Sequence, residues 1–398
     1  MANYTVATIN STPALSTEGG GRNIAAASDG KLWAVYSKKP AGVNYQQIYA
    51  AYSSDGGQTW TEERVTFGYD TKHHFFPALA IDAFDNLHIV YTSSGRAPFA
   101  TRWGVFYRER TIGGWQAEET VALQDVANPG QDYPAIAVGV ADSVHVVWAG
   151  LGWGTHPAVK NIQYRAKIVN WGVVEQVTDM ADRQDTPSIA IDSFGAVHVA
   201  WSGKAWGANP TMYQAAYGHG PAAWITGNIT DEAHNHYYTR VAVDSNDDPH
   251  VVYHDAAGPA ICYAKRTGVI WGAPEQVSQM GGNSQGYPSI ALDRGDGIHV
   301  IWVAYGSGLS DDWMNLWYRK KAGAWLAPKP ITEQDLNDEW GASLLWARYP
   351  EVGGVKTNVL PGLQKVIWED MDAAVMFSET PGHAAGGRSQ GHVISTFV

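Results

Sequence analysis

The chain contains one cysteine, Cys262, and no long hydrophobic run. A single cysteine excludes an internal disulfide, and its position inside a predicted strand indicates a buried, unreactive thiol. The lack of any apolar stretch of about 18 residues excludes a membrane-spanning helix. The first residues also lack the basic and apolar segments of a signal peptide. We therefore expect no membrane insertion, and a protein that is cytoplasmic, associated with a virus particle or exported by another route.

Charge is scarce, and one sign of it dominates. Only 17% of the residues are charged, and the net charge is −12. Together with an aromatic content of 12%, this composition excludes a disordered chain. The negative charge argues against nucleic acid or an anionic membrane as a partner of the whole surface, and it disfavours a polyanionic substrate.

Convincing helical periodicity is absent as well, and the chain instead repeats a hairpin. Residues 52–60 read Tyr-Ser-Ser-Asp-Gly-Gly-Gln-Thr-Trp, which places a Tyr and a Trp eight residues apart. The same two residues recur, seven or eight apart, in further pairs: Tyr107 and Trp115, Tyr164 and Trp171, Tyr217 and Trp224, Tyr263 and Trp271, Tyr318 and Trp325. A period of about 50 residues indicates a propeller or a solenoid.

A second phrase precedes each hairpin and supplies two more strands. It reads Pro-Ala-Leu-Ala-Ile-Asp-Ala-Phe-Asp-Asn-Leu-His-Ile-Val-Tyr at 77–91 and returns with a His at the same place. The repeated histidines are His88, His145, His198, His250 and His299. Because they recur at a strand position, we interpret them as packing and hydrogen-bonding groups. Degenerate copies at 22–36 and near 365–368 bring the count of repeats to seven.

The sequence therefore predicts an all-β fold, a single seven-bladed β-propeller of four-stranded antiparallel blades that spans residues 1–398. Each blade has strands A to D in chain order. The seventh blade has 373–377 as strand C but no Trp-led strand D. We expect residues 1–10 to supply it and close the ring, which leaves no open sheet edge. Residues 379–398 are expected to form a loop and a further strand.

Residues 53–60 carry the pattern S-x-D-x-G-x-T-W, which resembles the Asp-box (BNR repeat) of the sialidase-like β-propellers. Its members are Ser53, Asp55, Gly57, Thr59 and Trp60. An Asp can accept N–H bonds across a tight turn and a Gly can take positive φ, so a structural role is expected. The resemblance implies a propeller over nearly the whole chain. It does not extend to the sialidase active site, because the Arg-Ile-Pro motif of that family is absent and its ring has six blades.

Unusual residues concentrate in the D–A and B–C loops, which form one face, here called the loop-rich face. Loops on a rigid scaffold commonly carry function. The predicted ligand-binding residues are Trp153, Trp206, Trp313, Trp340, His73, His74 and Tyr238. Exposed aromatic rings stack on sugars, so these residues indicate a glycan-binding surface. The alternative is that the Trp side chains fill gaps between blades.

A cluster unique to the fifth repeat supplies the candidate catalytic residues. The unique residues are His234, His236, Arg240 and His254, and the repeat tyrosine Tyr263 is added to them as a candidate. Such side chains can hold a carboxylate and move a proton, as a polysaccharide lyase requires, and the repeats look similar to those of propeller-type lyases. The His-x-His pair can also begin a zinc site, but no convincing ligand set follows, so no metal or cofactor is predicted.

Three functions remain open from the sequence. The first is recognition of a glycan or cell-surface ligand by a lectin-like propeller, such as a surface protein of a phage or another assembly. The second is a glycan-cleaving enzyme, a polysaccharide lyase or sialidase-like glycoside hydrolase, with its site at the channel mouth. The third is a structural subunit of an assembly. The oligomeric state does not follow from the sequence.

Overall fold

A computed structural model describes residues 3–9, 22–68, 70–96, 98–125, 130–221, 223–278, 285–293, 295–305, 314–331, 337–345, 374–381 and 392–397. Throughout these residues the regular structure is β-strand, apart from a 3₁₀ turn at Val140–Asp142. Within the same residues, no helix has the length and hydropathy that crossing a membrane requires. The first strand is β1 (Asn3–Ile9).

Six blades follow, where a blade is a sheet whose strands A to D are consecutive in the chain. Blade 1 consists of β2 (Ile24–Ala26), β3 (Leu32–Lys38), β4 (Gln47–Ser53) and β5 (Thr61–Arg64). Blade 2 consists of β6 (His74–Ile81), β7 (Leu87–Arg96), β8 (Phe99–Thr111), β9 (Gly114–Trp115) and β10 (Glu119–Leu123). Blade 3 consists of β11 (Gln131–Val138), β12 (Val144–Gly150), β13 (Asn161–Lys167) and β14 (Glu175–Gln176).

The next three blades have the same order of strands. Blade 4 consists of β15 (Gln184–Ile191), β16 (Val197–Gly203), β17 (Gln214–Gly220) and β18 (Ile225–Asn228). Blade 5 consists of β19 (His236–Val243), β20 (Pro249–Asp255), β21 (Ala260–Thr267), β22 (Ile270–Trp271) and β23 (Glu275–Gln276). Blade 6 consists of β24 (Gln285–Leu292), β25 (Ile298–Tyr305), β26 (Met314–Ala322), β27 (Ala324–Trp325) and β28 (Lys329–Pro330).

Strands from the two ends of the chain pair in a separate sheet, here called the terminal sheet. It consists of β29 (Asn337–Leu345), β30 (Ala374–Pro381), β31 (His392–Phe397) and β1, in that order. Strand β1 runs antiparallel to β31, from Asn3 opposite Phe397 to Ile9 opposite His392. Strand β29 contacts β24 of blade 6 and β2 of blade 1. The terminal sheet therefore stands between the last blade and the first.

The prediction of seven blades of one pattern is wrong, and it is corrected to six. The predicted seventh blade used 365–368 as strand B, which lies outside the described residues, and 373–377 as strand C. Instead, strand β30 (Ala374–Pro381) lies between β29 and β31. Strand β1 therefore pairs with β31 and not with β30, the strand that was predicted to be its partner. The Tyr and Trp repeat is lost after Trp325, so the pattern that identifies strands in the six blades gives no guide to the terminal sheet.

Strand A of each blade faces the axis of the propeller. Each contacts strand A of the following blade, in the order β2, β6, β11, β15, β19 and β24. Because adjacent strands are antiparallel, the A–B and C–D turns lie on one face and the D–A and B–C loops lie on the other, loop-rich face.

The core lies between adjacent blades. Strands β12 and β16 are buried at every residue, because neighbouring blades cover both faces of a central strand. The side chains of Trp148, Trp201 and Trp302 are fully buried there. Burial of such large aromatic rings is the main favourable contribution to packing between blades.

A tryptophan between strands C and D joins a blade to the one before it. In blade 3, Trp171 Nε1 donates a hydrogen bond to Glu119 of blade 2 at 2.7 Å, and its ring meets Tyr107 edge-on at 5.3 Å. Equivalent hydrogen bonds run from Trp115 to Glu63, from Trp224 to Glu175 and from Trp325 to Glu275. These half-buried rings pack against the hydrophobic cores between blades.

The repeated histidines form hydrogen-bond networks near the A–B turns. In blade 4, His198 places Nδ1 2.6 Å from the Tyr217 hydroxyl and Nε2 3.1 Å from Asp192. Equivalent networks surround His88, His250 and His299. Both ring nitrogens are engaged and the rings are buried, so these residues hold the fold together and are not available to a ligand.

The turn at 53–60 uses its own side chains in the same way. Asp55 accepts hydrogen bonds from the Thr59 backbone N–H at 2.9 Å and from the Thr59 hydroxyl at 2.5 Å, and the hydroxyl bond is the main reason that the pKa of Asp55 falls to about 2. Ser53 Oγ accepts from Gly57 N, and Trp60 Nε1 donates to Gly57 O. Gly57 has a φ of +89°, which a side chain would disfavour.

Deletion of residues 1–10 should destabilise the protein and promote aggregation. The deletion removes β1 and exposes the backbone edge of β31, and unpaired edges associate with other chains. Thermal unfolding and light scattering compare this variant with a control that lacks only residues 1–2, which precede β1. Equal melting temperature and scattering in the two proteins would contradict this role of β1.

Trp171→Phe should lower the free energy of unfolding by about 1–2 kcal/mol, because Glu119 loses its indole donor while most ring packing remains. Trp171→Ala should lower it by about 3 kcal/mol, the low end for a core aromatic because the ring is only half-buried. Urea unfolding measures both values. The control is Val169→Ala at an exposed position, where a change within about 0.5 kcal/mol is expected. A fully stable Trp171→Ala variant would disprove the joining role of this ring.

Candidate functional site

Strand A carries a β-bulge at the same place in blades 2 to 6. In blade 2 the register shifts between Phe75 and Ala78, and equivalent shifts occur in the next four blades. The bulged residues have positive φ of 50–55° and are Phe76, Tyr133, Thr186, Tyr238 and Tyr287. Positive φ is unusual for residues with bulky side chains. Bulges re-aim side chains, and such strain concentrates at functional sites, so these bulges frame the candidate site.

Aromatic side chains of blades 1 to 3 form a first array around two of these bulges. Its members are partly exposed and are Tyr45, His73, Phe75, Phe76, Trp103 and Tyr133. Phe75 stacks between His73 and Trp103, with ring centroids 5.3 Å and 5.4 Å away. Phe76 meets Tyr133 of blade 3 at 4.8 Å. The first array therefore runs from one blade to the next across the loop-rich face.

A second array surrounds the bulge of blade 5. Its members are Tyr213, Tyr237, Tyr238, His254 and Tyr287, and all are partly exposed. The Tyr238 ring lies 4.4 Å from Tyr287 of blade 6 and nearly parallel to His254 at 6.5 Å. Tyr237 lies 5.5 Å from Tyr213 of blade 4. The second array thus links three blades.

Two titratable side chains near the second array have shifted pKa values. Burial lowers the pKa of His254 to about 4, so its imidazole is neutral at pH 7. Burial also lowers the pKa of Arg240 to about 10, and this guanidinium stays charged. Arg240 is buried, and its Nη1 donates to the carbonyl oxygens of Thr239 and of Thr186 in blade 4. Arg240 therefore spans the boundary between blades 4 and 5.

Four cationic side chains on the loop-rich face are paired with carboxylates. The pairs are Arg96 with Glu118, Arg102 with Asp125, Lys160 with Asp132, and Arg183 with Asp185. A ligand carboxylate can reach these four cations only by competing with a protein carboxylate. One further cation lies beside the second array, where Lys204 Nζ is 5.0 Å from the centroid of the Tyr213 ring. Aromatic rings and hydroxyl groups are therefore the main groups that the arrays offer.

A third group, here called the histidine–carboxylate cluster, comprises Glu232, His234, His236 and Asp255. Their donor atoms lie within 4.8 Å of one another. His234 Nε2 lies 2.8 Å from Glu232 and 3.0 Å from Asp255. Imidazole and carboxylate are metal-binding groups, so this is the set of described residues that can hold a metal ion.

The predicted catalytic residues do not form one site. His234 and His236 lie in the histidine–carboxylate cluster, whereas His254 belongs to the second array. His254 is separated from the cluster because it is adjacent in β20 to the cluster member Asp255, and adjacent residues of a strand point to opposite faces of the sheet. The Tyr263 hydroxyl lies 2.7 Å from His250 Nδ1 near the A–B turn. Tyr263 is the repeat tyrosine of its blade and fills the structural role of that position, away from the other candidates, and its catalytic role stays a prediction.

Two of the predicted ligand-binding tryptophans are not the freely exposed rings that the sequence suggested. Trp206 is 9% exposed, packs against Trp201, and donates its Nε1 hydrogen to Gln184 at 2.8 Å. Trp153 is half-buried and meets Trp148 edge-on. Both rings fold back onto the tryptophan of their own strand B, so they fill space within the fold.

The other predicted ligand-binding residues lie in different places. Trp340 lies in β29 and not in a loop, and Trp313 lies outside the described residues. His74 is fully buried. His73 and Tyr238 are members of the first and second arrays, and their binding role stays a prediction.

Sequence reasoning missed several members of these groups. In the first array it missed Tyr45, Phe75, Phe76 and Trp103, and in the cluster it missed Glu232 as a partner of the His-x-His pair. A usable signal was present for the bulges, since Phe76, Tyr133, Thr186 and Tyr287 each directly precede the first Pro of the repeated phrase. No comparable signal marks Trp103, which reaches Phe75 only through the pairing of blade 2.

Solved structures of glycan-acting proteins share this fold. A PL25 polysaccharide lyase, an ulvan lyase, is similar over 99% of this chain and 94% of its own, with a TM-score of 0.61 and 10% identity. An ulvan lyase of that family bound to -[GlcA(1-4)Rha3S]- is similar over 96% of this chain and 95% of its own, with a TM-score of 0.56 and 10% identity. A Hadza microbial sialidase is similar over 99% of this chain and 67% of its own, with a TM-score of 0.48 and 11% identity.

No protein-family model and no curated protein matches the sequence. At these identities the similarity is one of fold, and the chain has a β-propeller fold.

Proposed function

We propose that the protein binds a carbohydrate chain on the loop-rich face, through the first and second aromatic arrays. The observation that carries the proposal is the set of strained bulges. The bulged position is equivalent in five blades, and in four of them its residue is aromatic. Partly exposed aromatic rings present flat apolar faces to the C–H groups of sugar rings, and tyrosine hydroxyls can bond sugar hydroxyls. The ulvan lyase with a similar fold, bound to a saccharide, supports this class of ligand.

The charge of the face favours a ligand with little negative charge. The net charge of the protein is −12, and four cations of this face are already paired with carboxylates. A further cation, Lys204, lies with its Nζ 5.0 Å from the centroid of the Tyr213 ring. A neutral glycan avoids both the long-range repulsion and the cost of separating those ion pairs. A lectin-like role at the surface of a phage or another assembly stays a prediction of the sequence analysis.

A second candidate function is that of a polysaccharide lyase, which would cleave its substrate at Tyr238 and His254. It is favoured by one observation, a neutral imidazole stacked near a phenol ring. In a β-elimination, a base removes the proton beside a uronate carboxylate, the bond to the leaving sugar oxygen breaks as a C=C bond forms, and an acid protonates that oxygen. His254 fits the base and Tyr238 the acid. A lyase also needs a cation that neutralises the uronate carboxylate of the substrate, and Arg240 is buried. Lyase activity is therefore the weaker candidate function.

Trp103→Ala should weaken carbohydrate binding about tenfold, because removal of one stacking ring costs about 1.4 kcal/mol. A glycan array identifies the ligand, and isothermal titration calorimetry measures the affinity of the wild type and the variant. The matched control is Phe194→Ala, since Phe194 is 87% exposed at an A–B turn on the opposite face. Unchanged affinity in both Trp103→Ala and Tyr238→Ala would overturn the proposed binding face.

Incubation of the same glycans with the protein separates recognition from lysis. Recognition predicts binding without an ultraviolet-absorbing unsaturated product. Lysis predicts that product, its loss in His254→Ala, and a rate that rises with pH through about 4, because only the deprotonated imidazole can act as the base. Product formation that survives both His254→Ala and Tyr238→Phe would rule out these residues.

A further inference from the structure

The histidine–carboxylate cluster has the dimensions of a metal-binding site. Four donor atoms bound tetrahedrally at about 2.0–2.1 Å lie about 3.3 Å apart. Here His234 Nε2 lies 2.8 Å from Glu232 Oε2 and 3.0 Å from Asp255 Oδ1, and His236 Nε2 lies 3.6 Å from Glu232 Oε2. These separations bracket the tetrahedral value, so an ion fits with small movements of the side chains.

The contacts of His234 are not ordinary hydrogen bonds. Its Nε2 is enclosed and has no aligned hydrogen-bond partner among the described residues, although two carboxylate oxygens lie within 3.0 Å. The oxygens of Glu232 and Asp255 thus lie beside the N–H direction and not along it, as a hydrogen bond requires. Ligands of one metal ion also lie close to one another without pointing at one another, because each points at the ion.

The tautomer of His236 points its lone pair into the cluster. Thr230 Oγ1 donates its hydrogen to Gln214 Oε1 at 2.8 Å and accepts from Ala215 N at 3.0 Å. Thr230 can therefore only accept from His236 Nδ1, which lies 3.3 Å away. Nδ1 then carries the ring proton, and Nε2 faces the Glu232 carboxylate with a lone pair. This repulsive arrangement, on a side chain that is 1% exposed, is relieved by a cation between them.

The backbone around the cluster is fixed by bonds that do not involve an ion. Gln214 Nε2 donates to Glu232 O at 2.7 Å and Gln214 Oε1 accepts from Glu232 N at 3.2 Å. Asp255 Oδ1 accepts from Ala257 N at 2.9 Å. Hydrogen bonds of this kind hold the metal-ligating residues in place. They raise metal affinity because less conformational freedom is lost when the ion binds.

We propose that Glu232, His234, His236 and Asp255 bind one divalent transition-metal ion, Zn²⁺ above all. Two imidazoles and two carboxylates suit Zn²⁺, whereas Ca²⁺ and Mg²⁺ prefer oxygen ligands alone. Four protein ligands fill a tetrahedral ion, so the site is structural. It joins the D–A loop of blade 5 to the end of β20. The inference is independent of carbohydrate binding, although the ion would also steady Tyr237 and Tyr238, which follow His236 in β19.

The test uses the full chain after removal of metal with a chelator. Titration with ZnCl₂ in a calorimeter should show one ion per chain and raise the melting temperature, and equal concentrations of MgCl₂ or CaCl₂ should do neither. Affinity should fall at low pH, because protons compete with the ion for the ligand atoms. A Co²⁺-loaded sample should give the visible absorption of a tetrahedral ion.

Variants separate the cluster from adventitious binding. Glu232→Gln and Asp255→Asn keep the size of each ligand and should each weaken Zn²⁺ affinity at least about tenfold, a reduction that needs no loss of folding. The matched control is His156→Asn, because His156 Nδ1 lies 3.3 Å from Asp179 outside the cluster and blade 4 has Asn209 at the equivalent loop position. The control should bind Zn²⁺ like the wild type.

Two results would overturn the proposal. One is the absence of stoichiometric Zn²⁺ binding by the wild type. The other is equal Zn²⁺ affinity in the wild type, Glu232→Gln and Asp255→Asn. Since both variants preserve side-chain volume, circular dichroism can verify that each is folded before its affinity is compared.

Discussion

Every blade of this protein depends on its neighbours to cover the two faces of its central strands. An isolated four-stranded sheet would leave the buried residues of β12 or β16 in water, and such sheets are marginal by themselves. The neighbouring blade also completes polar contacts, as where Arg165 Nη1 donates to Val121 O of the preceding blade at 2.7 Å. Stability therefore comes from the sum of interfaces between adjacent blades, and the terminal sheet matters because it lies between the last blade and the first.

The same dependence explains why strain can persist at the loop-rich end of strand A. Positive φ at residues such as Phe76 or Tyr287 disfavours the folded backbone, but the paired strands and packed blades on both sides fix the chain there. The network of histidine, tyrosine and aspartate near the A–B turns holds the other end of the same strands. One end of each blade is thus committed to structure, and the opposite end can present side chains to a ligand.

How much could be predicted from the sequence follows from this division. Strand positions and the structural histidines were predictable because each blade repeats one packing requirement. The order of strands in the terminal sheet was not predictable, since these strands come from distant segments without the repeat. The burial of Trp206 was also missed, because only the fold brings it against Trp201 and Gln184. Asp255 joins His236 only when β19 pairs with β20, which no spacing along the chain reveals.

The start of strand A shows how one blade can acquire chemistry that the others lack. Where this position is Gln131 or Gln184, strand B supplies Trp148 or Trp201, and the indole donates to the glutamine oxygen.

In blades 2 and 5 the position is a histidine and strand B supplies a tyrosine, with His74 against Tyr91 and His236 against Tyr253 in edge contacts. The exchange of the pair keeps the space filled, but it replaces an amide with an imidazole. The residue paired across from that imidazole is Ser93 in blade 2 and Asp255 in blade 5. A carboxylate opposite the histidine occurs in blade 5 alone among blades 2 to 6 of the described chain, and in the proposed metal site it is the ligand that strand B contributes.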